Sequence, residues 1–246
     1  MTSKLGITCG LAALGLSSFA MAGEETVAAK GVLPVAPPSC PWTLEAALLY
    51  LEADSEGSSG YEDQDYETGY RIRLGYQADD AGWGYRLSFF DFEGTKKSEE
   101  DFEDGPEIQA IDLEAFKGLT LGGWQGHWSV GVRHLDIEET YNDGHDVDYD
   151  GFGPTVAIDL QRELSGPYSV YVNGRASYIF GDDSEDQAAD DTPVLELGVG
   201  IQRTLNVGNC GGYVRLGVEA HRYFELAYDE TDGDLFGGVL AFGFGF

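Results

Sequence analysis

Along most of the chain, apolar residues alternate with polar or small ones at a period of two, the spacing of a β-strand with two unlike faces. Ten segments carry it, with turn signals between them: Trp42–Ala53, Tyr66–Gln77, Trp83–Phe92, Glu107–Leu119, His127–Glu138, Gly151–Gln161, Tyr168–Phe180, Pro193–Thr204, Tyr213–Leu226 and Leu235–Phe246. Tyr70, Ile72, Leu74 and Tyr76 alternate with Gly69, Arg71, Arg73 and Gly75, and Trp83, Tyr85, Leu87 and Phe89 with Gly84, Arg86 and Ser88. Later, Leu195, Leu197, Val199 and Ile201 oppose Glu196, Gly198, Gly200 and Gln202, while Val214, Leu216, Val218 and Ala220 oppose Arg215, Gly217, Glu219 and His221. Most segments reach the ~9 to 11 residues a tilted membrane-spanning strand requires, and none reaches the ~20 apolar residues of a spanning helix.

In a soluble barrel the apolar face would point inward. Here several apolar faces carry aromatics at their ends, as membrane girdles do, so that face is assigned to lipid and the charged face to a lumen. The connections agree. Those after odd-numbered segments are mostly longer and all acidic (54–65, 93–106, 139–150, 181–192, 227–234); those after even-numbered segments are mostly short (78–82, 122–126, 162–167), with 205–212 the longest. Short periplasmic turns and longer external loops suit an outer-membrane barrel. The predicted fold is all-β, a single antiparallel transmembrane β-barrel of ten strands over residues 42–246 with both termini periplasmic. Two places fit poorly. Lys117 shares the lipid parity of Ile111 and Leu113, so a bulge or snorkelling near the interface is expected there, and His134 and Asp136 share that of Trp128, Val130 and Val132, so a bulge or an early exit from the membrane is expected there.

The last segment, LFGGVLAFGFGF, puts Phe236, Leu240, Phe242, Phe244 and Phe246 opposite Gly237, Val239, Ala241, Gly243 and Gly245. Taken alone it would also suit an edge strand of a soluble sandwich. A final strand ending on Phe resembles those of bacterial outer-membrane β-barrels, and the resemblance implies recognition by the barrel-assembly machinery through Phe246.

The inward face would hold Arg71, Arg73, Arg86, Arg133, Arg175 and Arg215 with Glu45, Glu67, Asp112, Glu114, Asp159, Glu196 and Glu219. Confined charges are tolerated when paired and hydrogen-bonded, and Arg does this bidentately. They form either a salt-bridged filling or the lining of a narrow polar channel. Eight strands leave an interior that side chains fill and 16 to 18 leave a pore, so ten lies near the filled end. Inward Gly75, Gly84, Gly131, Gly153, Gly198, Gly200, Gly217 and Gly243 either open that lumen or make room for side chains from across.

Charge and processing signals bound the setting. Lys4, an apolar stretch over 5–19 and Ala20-Met21-Ala22 read as a secretory signal cleaved after Ala22, leaving 23–41 as a flexible periplasmic lead-in. The formal net charge of −30 excludes nucleic acid as a partner. Two cysteines survive processing, Cys40 before the first strand and Cys210 in the turn joining the eighth and ninth. Barrel closure brings both to one rim, so they form a disulfide or stand as two thiols in a compartment that permits the bond.

Of the 44 acidic residues, 27 lie in the five long connections or at bordering Glu138, opposed only by Lys96 and Lys97. They form a solvated acidic rim, or one that gathers divalent cations and contacts lipopolysaccharide. Asp146, Asp148 and Asp150 before Gly151 match the opening of an EF-hand calcium loop, but Ala157 stands where its bidentate Glu belongs. No other metal site and no cofactor are expected. No Gly-x-Ser-x-Gly elbow or matched Ser, His and carboxylate set is present, so the protein is read as no enzyme.

Residues 128–181 include Gly131-Val132-Arg133-His134, an acidic loop, and Tyr149-Asp150-Gly151-Phe152-Gly153-Pro154. This resembles the Legionella-type major outer-membrane protein family, with its G-x-R-x strand, acidic loop and F-x-G-x-GP. The resemblance implies an integral outer-membrane barrel of a Gram-negative-type envelope with a porin role, and it carries over no catalytic residue. The function expected first is a narrow porin-like channel. The rival is a closed structural or surface-interaction barrel.

Overall fold

A computed structural model of the chain describes residues 40–56, 66–78, 82–97, 102–140, 146–183, 189–207, 210–226 and 231–246. The expected signal (1–22) and nearly all of the lead-in lie outside them. The described residues form ten strands: β1 Trp42–Glu56, β2 Glu67–Tyr76, β3 Gly84–Lys97, β4 Phe102–Leu121, β5 Trp124–Thr140, β6 Asp146–Ser165, β7 Tyr168–Asp183, β8 Ala189–Val207, β9 Cys210–Leu226 and β10 Thr231–Gly245. Each pairs antiparallel with its sequence neighbours, and β1 closes on β10 from Thr43↔Gly245 to Glu56↔Asp232, making a closed barrel without a free edge.

The strands are longer than the periodicity predicts. β4 and β6 each run 20 residues, so much of the acidic sequence expected in loops is strand. Once a hairpin is in register, each further residue pair adds ladder hydrogen bonds, and the pairing proceeds to Glu139↔Val147 and Thr140↔Asp146. The other ends are equally tight. Gly122 and Gly123 make a two-residue turn between Leu121 and Trp124 with φ of 56° and 84°, both left-handed as a hairpin turn of the I′ kind demands. Gly166, at φ 60°, serves the β6–β7 turn, and Val207 pairs with Cys210 where an eight-residue connection was expected.

Neither expected bulge forms at Lys117 or at His134 and Asp136. The β4–β5 register is unbroken from Glu107↔Glu138 to Leu121↔Trp124. Instead these residues sit near the barrel's ends: Lys117 Nζ lies 5.8 Å from the Trp83 ring at the turn end, and His134 pairs with Asp150 towards the loop end. The register shifts of the sheet fall at Glu93/Thr95, Glu163/Ser165 and Thr231/Gly233, all near strand ends.

The outer surface is apolar. Ile72, Leu74, Leu87, Ile111, Leu113, Val130, Val132, Val199 and Leu216 are exposed in a middle band. Aromatic tiers bound it. At the turn end Trp42 packs on Tyr76 (4.8 Å) and Trp83 on Trp128 (5.3 Å); at the loop end Tyr50 packs on Tyr66 (5.2 Å) and Tyr178 on Phe180 (5.1 Å). Soluble monomers rarely expose a contiguous apolar patch beyond a few hundred Å², so this belt requires hydrocarbon around it.

Candidate functional site in the barrel interior

The interior is layered along the axis. A chamber occupies the turn end, an ion-pair network the middle, and an apolar plug the loop end.

In the middle layer six arginines meet six carboxylates. Arg133 donates from Nε and Nη2 to Asp112 at 2.7 and 3.1 Å and from Nη1 to Glu196. Arg175 bridges Asp112 and Glu114 at 3.0 Å each and reaches Glu196 at 3.5 Å. Arg71 holds Glu219 bidentately at 2.9 and 2.7 Å, across 148 residues of sequence. Arg86 Nε donates to Glu114 at 2.8 Å, and Ser129 Oγ donates to the same carboxylate at 2.9 Å. Arg215 grips Asp159 at 2.9 and 3.1 Å between the rings of Tyr171 and Tyr213, 4.9 and 4.8 Å away. Arg73 donates to Glu45 at 3.0 Å, and Tyr213 donates to that same carboxylate. Twelve of the thirteen charges expected inside are thus brought together; Glu67 shares the inward parity but stands beside Leu51, at the loop end, outside the network.

Two histidines belong to this interior, although charge pairing alone does not single them out. Arg86 Nη1 lies 2.9 Å from His127 Nε2. A guanidinium only donates, so that nitrogen accepts and the ring is neutral with its proton on Nδ1. The His221 ring packs at a tilt against Phe90 (5.3 Å), with Nε2 3.4 Å from Glu219. The signal was parity: His221 alternates in phase with Arg215 and Glu219, and His127 with Ser129 and Arg133.

Several of the inward glycines are filled by side chains from other strands, while Gly131 and Gly153 lie against neighbouring backbone. A Cβ on Gly84 would meet the Phe116 ring at 2.3 Å, one on Gly243 the Tyr213 ring at 2.3 Å, one on Gly198 the Asn173 amide at 2.2 Å, and one on Gly217 the Tyr171 hydroxyl at 2.3 Å. Gly84↔Phe116, Gly243↔Tyr213 and Gly198↔Asn173 are direct cross-strand partners, so the small residue lets the large one lie flat across the lumen.

Towards the loop end the inward face turns apolar. Leu49, Leu51, Leu135 and Ile179 are wholly inaccessible, and Phe92, Ile108, Ile137, Tyr149, Val194, Tyr223 and Leu235 are at most 4 % exposed. They form one cluster spanning the barrel. A single charged inward face per strand was expected, so this plug corrects that picture. Its cause is legible in β1, where Ala47, Leu49 and Leu51 continue the inward parity of Glu45.

Below the network a cavity of about 180 Å³ opens at the turn end, lined among others by Thr43, Glu45, Arg73, Arg86, Phe116, His127, Asp159, Tyr213 and Arg215. The Cys40–Cys210 disulfide borders its mouth. The bond joins residues 170 apart, with Cα atoms 6.2 Å apart, and ties β1 to β9 across the end of β10.

The calcium loop anticipated at Asp146, Asp148 and Asp150 is not formed. These residues lie in β6, an extended strand, with Asp148 and Asp150 exposed on its outer face. An extended backbone spreads alternate side chains along a row, whereas an EF-hand loop must curl them around one ion. Among the described residues no group of three or more His, Cys, Asp or Glu could hold a metal. Asp150 accepts from His134 at 3.0 Å and opposes Asp136. Partial burial and then the neighbouring Asp150 charge raise the Asp136 carboxyl above the ordinary aspartate range.

The fold and interior define a closed, ten-stranded antiparallel barrel with an apolar exterior, an apolar plug and a network of six guanidiniums and six carboxylates above a chamber at the turn end. No family model matches the chain, and no curated protein matches it. Among solved structures it is similar to the outer-membrane protease OmpT from Escherichia coli (7 % identity, 88 % of this chain and 99 % of that one, TM-score 0.44). It is also similar to Neisserial surface protein A (10 %, 84 % and 97 %, TM-score 0.41) and to the outer-membrane protein OprG from Pseudomonas aeruginosa (13 %, 83 % and 95 %, TM-score 0.35). These similarities assign no activity to this chain.

Proposed function

We propose that the protein is an integral outer-membrane β-barrel with a sealed lumen, a structural and surface-interaction barrel more than a conducting porin. Its short turns and both chain ends face the periplasm, and its acidic strand extensions face outward, where they meet solvent, divalent cations or lipopolysaccharide. The observation that carries the reading is the plug: Leu49, Leu51, Leu135 and Ile179 are wholly buried across the loop half of the lumen. Water and ions need a continuous polar path, and a packed apolar cross-section offers none. The ion pairs beneath it leave no carboxylate of the network without a guanidinium partner. Ser129 donates directly to Glu114 and His127 accepts from Arg86, so neither is poised as nucleophile or base, which supports a non-enzymatic role.

The channel reading, favoured by the resemblance of residues 128–181 to a pore-forming family, requires the plug to move. Conductance across a planar bilayer decides between them. Folded protein, verified by heat-modifiable gel mobility, gives no current steps above background if the lumen is sealed. Regular unitary steps would refute the sealed barrel.

A further inference from the structure

We infer that the chamber at the turn end is a binding site for a small carboxylate with a flat apolar body, anchored by Arg73. The site itself is read from geometry. Only its exposure to the periplasm rests on the orientation proposed above.

Charge is the first argument. The chamber lining carries the guanidiniums of Arg73, Arg86 and Arg215 against two carboxylates, Glu45 and Asp159, in a chain with 44 acidic and 14 basic residues. Arg86 is held by Glu114 behind the lining, so the pull on an anion rests on Arg73, whose Glu45 is shared with Arg215 and Tyr213. Both carboxylates are already committed: Asp159 to Arg215 at 2.9 Å, and Glu45 to Arg73 at 3.0 Å and to Tyr213.

Donor capacity is the second. Arg73 has five N–H groups, and its side-chain hydrogen bond runs from Nη1 to Glu45, while Nε is buried without a partner. Nε has no accessible surface, so an acceptor entering the chamber meets instead the Nη N–H groups that Glu45 does not take. A second cavity of about 20 Å³ lies where Arg73 converges with Arg71, Arg86 and Arg175, with Asp159, Glu196 and Glu219 also in its wall.

Shape sets the rest of the ligand. The chamber volume of about 180 Å³ compares with the ~150 Å³ cavity that holds benzene. The Phe116 and His127 rings pack at a tilt of 50° with centroids 5.3 Å apart, and the Tyr213 ring covers Gly243, giving the chamber aromatic walls beside its cationic ones. A carboxylate facing Arg73 and a planar body against these rings uses both features.

The test is calorimetric titration of the folded full-length protein in detergent micelles with benzoate, benzamide and benzylamine. Saturable binding of benzoate alone is expected, because the three share a ring and differ in charge. Arg73→Lys keeps a cation opposite Glu45 but removes Nε and the fork, and should weaken benzoate binding roughly tenfold or more. Benzoate heats no different from those of benzamide, or equal benzoate affinity in Arg73→Lys, would overturn the site. The wild-type comparison of three probes decides the matter even if the variant fails to fold. Swelling of proteoliposomes in benzoate reports on the seal separately: swelling refutes the sealed lumen, whereas absent binding without swelling refutes the chamber alone.

Discussion

Removal of Arg133 is the sharpest probe of the interior. It is 2 % exposed and holds Asp112 through two hydrogen bonds, at 2.7 and 3.1 Å, and Glu196 through a third. In Arg133→Met, a side chain of similar length leaves no cavity to speak of, but both carboxylates lose their main partner. Arg175 remains within 3.0 Å of Asp112 and 3.5 Å of Glu196, and it is already bonded to Glu114. Arg175 must then serve Asp112 and Glu196 while sharing Glu114 with Arg86. Breaking a buried pair typically costs 3–5 kcal/mol, and the residual help from Arg175 puts this case near the lower end, about 3 kcal/mol. Urea unfolding in the presence of phospholipid, followed by tryptophan emission and gel mobility, measures it. Because the loss stems from stranded charge, Arg133→Met combined with Asp112→Asn and Glu196→Gln should recover much of it. A loss under about 1 kcal/mol in the single variant, or a triple variant worse than the single, would refute the account of the network.

Other perturbations read other layers. Replacing Cys40 and Cys210 together by Ser frees a loop spanning 170 residues, for which the chain-entropy relation gives a loss of about 5 kcal/mol, visible as a lower urea midpoint; an unchanged midpoint would show that the strap adds nothing. Gly153→Ala drives a Cβ to within 1.8 Å of the Tyr178 carbonyl oxygen, so the backbone must yield at a cost of about 3 kcal/mol. Gly233→Ala meets nothing within 4 Å and should change stability by less than about 0.5 kcal/mol; equal effects would contradict the packing. Asp136 tests the outer rim. Its folded carboxyl is raised, so the penalty for its charge is full at neutral pH and fades as the pH falls through that raised value. Asp136→Asn should therefore stabilise the barrel at neutral pH and lose this advantage in acid; a gain independent of pH would contradict it.

How far the sequence foretells this molecule differs by layer. Strand number, order and facing follow from parity, because a membrane barrel needs an apolar exterior on every strand, and Tyr70-Arg71-Ile72-Arg73-Leu74 states that alternation outright. The partners of the charges are not legible. Arg71 finds Glu219 across the lumen, on a strand 148 residues later, and only closure brings them together. Strand ends are obscured for another reason. Hydropathy falls where the lipid ends, but backbone pairing continues past it, so Glu138 and Asp148 remain in the ladder although their side chains look like loop. The plug is hidden by the outer face itself: where both faces are apolar, as in Ala47-Leu48-Leu49-Tyr50-Leu51, alternation vanishes and cannot say that the inward half is a core.

The charge distribution follows from the same confinement. Six guanidiniums and six carboxylates balance in the middle layer, while the chain as a whole carries −30. Inside, an excess charge has neither water nor counter-ions to screen it, and each uncompensated ion costs several kcal/mol, so the interior is held near neutrality. At the rim, solvent and salt screen like charges over about 8–10 Å, and a surplus is tolerated. In the proposed orientation the acidic surplus falls at the outer end, where its effect would be felt by whatever approaches. Adding divalent cation should stabilise the barrel through the rim and leave the Arg133→Met loss unchanged, because the network lies behind the plug. A cation effect that disappears in Arg133→Met would mean that the two layers communicate and that the plug is not a barrier.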